Sequence, residues 1–231
     1  MQLFYQNLLP EINYLDQDES KHCIKVLRKQ QGDELDIIDG KGTFYKAKIT
    51  DASAKKCRFE IISTTQERKV AFHRHLAIAP TKNMDKMEWL VEKATEMGID
   101  EISFFQSFHS ERKVIKIERL EKKAISAMKQ SLKAKKPLLN EIIPYKQFLK
   151  ETDVSNKLIA YVDFKNKIHM KNELSHQQDT LVLIGPEGDF TPEEVSLAIE
   201  NRYKKVSLGN SRLRTETAAL AAVHLMNLAM E

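Results

Sequence analysis

Apolar positions follow two rhythms along the chain, and the change comes near residue 70. Before it, apolar and polar residues alternate in short runs. Leu35-Asp36-Ile37-Ile38 reads as a strand, Asp39-Gly40-Lys41-Gly42 is a hairpin-turn signal, and Phe44 to Ile49 resumes with a period near two. Cys57 to Ile62 alternates again. Upstream, the acidic segment Asp16 to Ser20 suits the start of a short amphipathic helix over His22 to Arg28 that ends near Gly32. Short strands joined by tight turns predict a small β-barrel module over residues 1–70. The polar stretch Ser63 to Lys69 is its expected boundary.

Beyond it, strand-like and helix-like segments alternate. Leu76 to Ala79, Ile102 to Phe105, Leu158 to Val162, Leu181 to Ile184 and Lys205 to Leu208 are short apolar runs that predict five buried strands. Met84, Met87, Leu90-Val91, Ala94 and Met97 share one helical face, with Gly98 at the capping position. Ile117 to Leu132 is the next helix, and Thr191-Pro192-Glu193-Glu194 combines an N-cap, a first-turn proline and a capping-box glutamate. An alanine-rich helix follows Thr217. This order predicts an α/β domain over residues 71–231 with a mainly parallel sheet covered on both faces.

The composition agrees with a soluble globular protein: 231 residues, 42% hydrophobic and 30% charged. No apolar run approaches the ~18 residues of a membrane helix. Met1 to Gln6 has neither the basic nor the apolar part of a signal peptide, so a cytoplasmic setting is expected. Cys23 and Cys57 lack metal spacing and read as packing residues. The net charge of +4 is modest but uneven: residues 111–136 hold ten Lys/Arg against three Glu. That run is either a solvated helix face or an electrostatic footprint for a polyanion, and charge alone leaves both open.

Several chemistries lack their signatures. There is no Gly-x-Gly-x-x-Gly after an early strand, no phosphate-binding P-loop and no Gly-x-Ser-x-Gly elbow. His22, His73, His75, His109, His169, His176 and His224 form no ligand pattern, and no metal is expected. What remains are two strand-to-helix loops, Gly185 to Phe190 and Leu208 to Thr217, which hold three of the seven glycines. Such loops are where α/β sheets bind ligands, and glycine lets the backbone approach a flat one. Glu216 alone could merely complement a helix dipole. Arg212 and Arg214 at an already positive helix start suggest an anion to be met.

The residues of these loops, Ile184-Gly185-Pro186-Glu187-Gly188, Leu208-Gly209 and Leu213-Arg214-Thr215-Glu216-Thr217-Ala218, resemble the SPOUT methyltransferases. More narrowly, the chain is similar to the bacterial family that makes N3-methyluridine in 16S ribosomal RNA, ribosomal RNA small subunit methyltransferase E. His22 to Arg28 matches that family's His-x-x-x-Val-Leu-Arg signature, and Lys86 to Trp89, Lys93 to Gly98, Ser110 to Arg112 and Gln130-Ser131 match in order. It departs from the family where Asp189 replaces a glycine and Ser211 an arginine, with Arg212 beside it. Lys129 replaces a Glu, and Lys133 an Arg.

The resemblance implies a PUA-like RNA-binding domain followed by a trefoil-knotted catalytic domain, working as a homodimer on the small ribosomal subunit. It implies S-adenosyl-L-methionine as cofactor, held by Leu183, Ile184, Gly185, Glu187, Gly188, Leu208, Gly209, Leu213 and Thr215. Arg214 and Glu216 would be catalytic, Arg214 by stabilising charge on the uracil oxygens. Glu216 would be a base if its carboxyl is raised, or else a bidentate partner that positions Arg214. Arg28, Lys82, Lys93 and Arg112 would bind RNA together with the 113–136 basic run. The small-residue face Ala218, Ala221-Ala222, Leu225 and Ala229 would suit either a partner helix or the chain's own core. Two other functions stay open on the residues alone: a non-catalytic ribosome-assembly factor and a phosphotransferase.

Overall fold

A computed structural model describes residues 2–68, 70–163, 168–175 and 178–229. Lys69, His176 and the last two residues of the predicted C-terminal stretch lie outside the described residues. The chain divides into two units, one of residues 1–69 and 125–136, the other of residues 70–124 and 137–231. The inclusion of 125–136 in the first unit departs from a single boundary near residue 70.

The first unit is built on one four-stranded sheet in the order β1 (Leu3–Tyr5), β2 (Glu34–Ile38), β3 (Thr43–Asp51), β4 (Arg58–Gln66). β2 and β3 form the predicted antiparallel hairpin. Its turn is closed by Asp39, whose Oδ1 accepts from the backbone of Lys41 and Thr43 at 2.7 and 3.0 Å. β4 continues to Gln66, so most of the polar stretch foreseen as a boundary is strand. Pairing with β3 across two register shifts satisfies its backbone without requiring apolar side chains. The helix foreseen over His22–Arg28 is α1 (Gln17–Lys21) running into a π-helical turn, His22–Val26. Asp16 caps α1 through the Glu19 amide. Cys23 and Cys57 are free thiols buried with Phe4, Leu35, Ile37 and Phe59.

The second unit is a six-stranded sheet in the order β10-β8-β9-β5-β6-β7, and every neighbouring pair is parallel. Here β5 is Arg74–Ile78, β6 Glu101–Gln106, β7 Leu138–Pro144, β8 Asn156–Ala160, β9 Thr180–Ile184 and β10 Lys204–Val206. The pleat sorts side chains by a period of two. Leu76, Ile78, Leu158, Val182 and Ile184 point to one face and pack with α2 (Met84–Met97) and α6 (Thr215–Leu228). Ala77, Ala79, Ile159, Leu181 and Leu183 point to the other and pack with α4 (Tyr145–Glu151) and α5 (Pro192–Glu200). Both faces are covered, as the continuous apolar runs required.

The helix ends follow their sequence signals. Asn83 caps α2 through the Asp85 amide, and Gly98 ends it at φ +96°. Thr191 and Glu194 form the capping box of α5 with Pro192 in its first turn. Of the predicted α2 face, Met97 is instead exposed while Met87, Leu90, Val91 and Ala94 are buried. In α3 (Ile117–Gln130), Leu120 and Ala124 face the core of this unit. In α6, Ala222 is buried in the core, and Ala218 and Leu225 are half-buried against it.

Candidate active site

In a parallel sheet all carboxyl ends lie on one edge, where the loops diverge and leave space. Here the space is a cavity of about 750 Å³ at the ends of β8, β9 and β10 and the start of α6. Seven residues expected to hold a cofactor line it: Ile184, Gly185, Glu187, Leu208, Gly209, Leu213 and Thr215. Tyr161, Val162, Asp163, His169 and Asn210 also line it but were not singled out by the sequence. Asn210 lies in the second loop already singled out, whereas Tyr161, Val162 and Asp163 follow β8 and could be placed only by knowing that β8 lies beside β9.

Leu183 and Gly188 are not in the wall. Leu183 is fully buried on the face of the sheet opposite Ile184, as the pleat demands of adjacent residues in a strand. Gly188 serves a neighbouring loop: a Cβ there would lie 3.0 Å from His109 Cβ. Gly185 is needed for a similar reason, since a Cβ would meet the Phe190 ring at 3.1 Å and Asp189 Oδ1 at 3.2 Å. The left-handed residue of this turn is Asp189, at φ +61°. Asp tolerates that region, so it can stand where the resemblance implies a glycine. Asp189 Oδ1 accepts from the Phe190 amide at 2.8 Å, and burial pushes its carboxyl up.

The arginines of the second loop are exposed, and the side chain of neither Arg212 nor Arg214 has a hydrogen bond or ion pair among the described residues. Arg214 is the N-cap residue of α6 and makes no side-chain cap. Glu216 faces elsewhere. It is 8% exposed, and its Oε1 lies 3.0 Å from Lys86 Nζ on α2. Burial pushes the carboxyl up, but its own backbone amide, Lys86 and the charge of Arg214 outweigh burial, and the group lies below the usual carboxylate range. Against the raised carboxyl or the bidentate pair with Arg214 that were expected, this structure has a lowered carboxyl and an ion pair with Lys86.

The four residues expected to contact RNA are differently employed. Arg28 is exposed at φ +56° after the π-helical turn. Lys82 is exposed, pairs with Glu111 at 2.9 Å and feels the charge of Glu187 in the cavity wall. Arg112 donates to the carbonyls of Thr81 and Lys82, which fixes the loop after β5. Lys93 is held by Glu92 and Glu96, each at 2.8 Å. In the basic run, Arg119 and Lys123 neutralise Glu88, and Lys129 bonds Glu19.

The chain was compared with known proteins. The RNA methyltransferase domain family matches residues 68–227, and the RNA methyltransferase PUA domain matches residues 15–62. Ribosomal RNA small subunit methyltransferase E of Rickettsia conorii is 29% identical over 93% of this chain and 88% of its own length. The protein of that name from Bacillus subtilis is 27% identical over 93% and 89%. Among solved structures, a probable rRNA-methyltransferase from Porphyromonas gingivalis is 43% identical and superimposes with a TM-score of 0.94, covering 100% of this chain and 98% of the other. Ribosomal RNA small subunit methyltransferase E from Neisseria gonorrhoeae, bound to S-adenosyl methionine, is 27% identical with a TM-score of 0.87 over 99% and 97%. The first unit is accordingly PUA-like and the second an α/β methyltransferase domain with a parallel sheet. The chain belongs to the RNA methyltransferase family, alongside the ribosomal RNA small subunit methyltransferase E proteins.

Proposed function

We propose that this protein transfers the methyl group of S-adenosyl-L-methionine to N3 of a uridine in the 16S RNA of the small ribosomal subunit. It would do so in the cytoplasm as a homodimer, with the C-terminal loops threaded as the trefoil knot that the resemblance implies. The observation that carries the reading is the meeting of seven expected cofactor residues in one cavity beside two unpaired arginines. The family match and the cofactor-bound relative from Neisseria gonorrhoeae support it.

The residues present fit the cofactor. About 750 Å³ falls within the range of small-molecule sites. Ile184, Leu208, Leu213 and Ala218 offer apolar surface to a flat ring, and Gly185 and Gly209 expose backbone groups. Glu187 and Asp189 suit a ligand bearing positive charge. The bound cofactor supplies a methyl already activated on a sulfonium, so the protein's task is alignment and charge control. Arg214 directs its guanidinium to the uracil oxygens flanking N3, where negative charge develops as the N3 proton leaves. Glu216 remains ionised and, through Lys86, ties the start of α6 to α2. Arg28, Lys82 and the unpaired lysines of the basic run hold RNA phosphates.

Labelled cofactor incubated with small subunits from a strain lacking the modification tests this, followed by nucleoside mass spectrometry. N3-methyluridine is the expected product. No incorporation, or label in another base, overturns the reading.

A further inference from the structure

Phe108 is 78% exposed, in the loop that follows β6. Exposure of a single apolar side chain is common by itself; what sets Phe108 apart is how its loop is held and where it sits. The loop is firmly held. The Phe108 amide donates to Glu194 Oε1 at 2.8 Å, and the Ser107 amide to Ser110 Oγ at 3.0 Å. His109 Nδ1 lies 3.0 Å from the Asp189 carbonyl oxygen, and its ring fills the place that a side chain at Gly188 would take. The Phe108 and His109 rings stand edge to face, 5.1 Å apart at 80°. An apolar ring is therefore carried into solvent on a rigid mount.

Its position is informative. The mount rests on Gly188 and Asp189, and Glu187 and Asp189 line the cavity. Arg112, four residues further along the chain, and Lys82 belong to one hydrogen-bonded corner, and Lys82 senses Glu187. An aromatic face with lysine and arginine in the adjoining loops, beside a catalytic cavity, is the composition of a nucleobase platform. Any base presents a π-face, and RNA is recognised largely through splayed, unpaired bases. A methylated N3 must itself be free of Watson–Crick pairing, so unstacked neighbours need a surface to lie on.

We propose that Phe108, mounted by His109 on Gly188, is a stacking platform for an unpaired base next to the methylated uridine. This rests on the methyl-transfer reading. Phe108 binds substrate, and His109 is a positioning residue. Stacking is worth about 1–3 kcal/mol per base, which corresponds to a loss of about 5- to 150-fold in RNA affinity.

The test compares Phe108→Ala, Phe108→Leu, Phe108→Tyr and the parent protein on small-subunit RNA by fluorescence anisotropy across salt concentrations. Methylation kinetics, cofactor affinity and sedimentation are measured alongside. Phe108→Ala is expected to raise KM for RNA and the RNA Kd, leaving cofactor affinity, sedimentation and the salt slope unchanged. Phe108→Tyr is expected to restore binding, and Phe108→Leu is not. Equal binding by Phe108→Ala and the parent overturns the platform, as does full rescue by Leu. A change in sedimentation assigns Phe108 to contact between copies of the chain, which also overturns it. If the parent itself neither binds nor methylates the RNA, the proposed function fails and the platform with it.

Discussion

Lys86 and Glu216 form an ion pair between α2 and α6, with Nζ 3.0 Å from Oε1. The two side chains are 30% and 10% exposed, and Glu216 Oε2 is buried without a hydrogen bond among the described residues. A carboxylate held this way is an anchor for the start of α6. Replacing Lys86 by Met should cost about 1–3 kcal/mol by stranding a buried charge, and Lys86→Met with Glu216→Gln should recover much of it. Urea unfolding of the four proteins measures this. A loss in the double variant equal to the sum of the two single losses would show the pair to be uncoupled.

Arg214 is expected to act on the reaction without holding the cofactor. Arg214→Ala should lower kcat about 10²–10³-fold, the usual effect of removing one charge-stabilising donor. Calorimetric titration with the cofactor should give nearly parental affinity. Substantial turnover in this variant removes Arg214 from the chemistry.

Two glycines of the cavity should fail for different reasons. Gly185→Ala drives a methyl against Phe190 and Asp189, so the turn itself must shift. Gly209→Ala meets nothing within 4 Å, but its φ of +128° strains any other residue. Both should weaken cofactor binding. Only Gly185→Ala should disturb the Phe190 packing, which a crystal structure of the variant would reveal.

The amino ends of β5 and β6 carry a pH-sensitive cluster. His75 Nε2 lies 2.7 Å from Ser103 Oγ and 3.5 Å from Glu101 Oε1, and Glu101 Oε2 lies 2.8 Å from His73 Nε2. Burial, reinforced by His73 and opposed by Glu101, pushes His75 down to about 4 from 6.5. The unfolded chain therefore takes up this proton at a higher pH than the folded one. Stability is retained above pH 6.5 and lost as pH falls towards 4, by up to about 3 kcal/mol. Glu101, which lies below its ordinary value, acts in the same direction. Thermal melts from pH 7 to 4 should show the fall, and His75→Gln should flatten it.

Salt dependence separates the lysines of the basic run. Lys113, Lys116 and Lys122 have no ion pair among the described residues, whereas Arg119, Lys123 and Lys129 meet acids. Neutralising the first three should reduce the slope of log K against log salt by about 0.7–0.9 for each RNA phosphate that is no longer met by a lysine. An unchanged slope makes them a solvated helix face.

Local signals were the legible ones. The capping box at Thr191 and Glu194, the hairpin at Asp39–Gly42 and the buried runs of β5, β6, β8 and β9 each lie within a few residues. β7 went unseen because it is an edge strand, half-exposed, whose apolar residues come in pairs rather than alternating. β1 has only three residues. The partners of Glu216 and Gly188, which are Lys86 and His109, are distant in sequence, so no spacing could announce them. Glu194 illustrates both limits: its capping role could be read, and its second bond to the Phe108 amide could not.

The strand order has a consequence for biosynthesis. β5 pairs with β9, and His73 and Asp179, bonded just before those strands, are 106 residues apart. One edge of β5 thus stays open while that length of chain is made, and open edges invite wrong pairing. The walls of the cavity come almost wholly from β8 onwards. A nascent chain therefore carries its PUA-like unit before it has any methyltransferase pocket, and becomes competent only once α6 has left the ribosome.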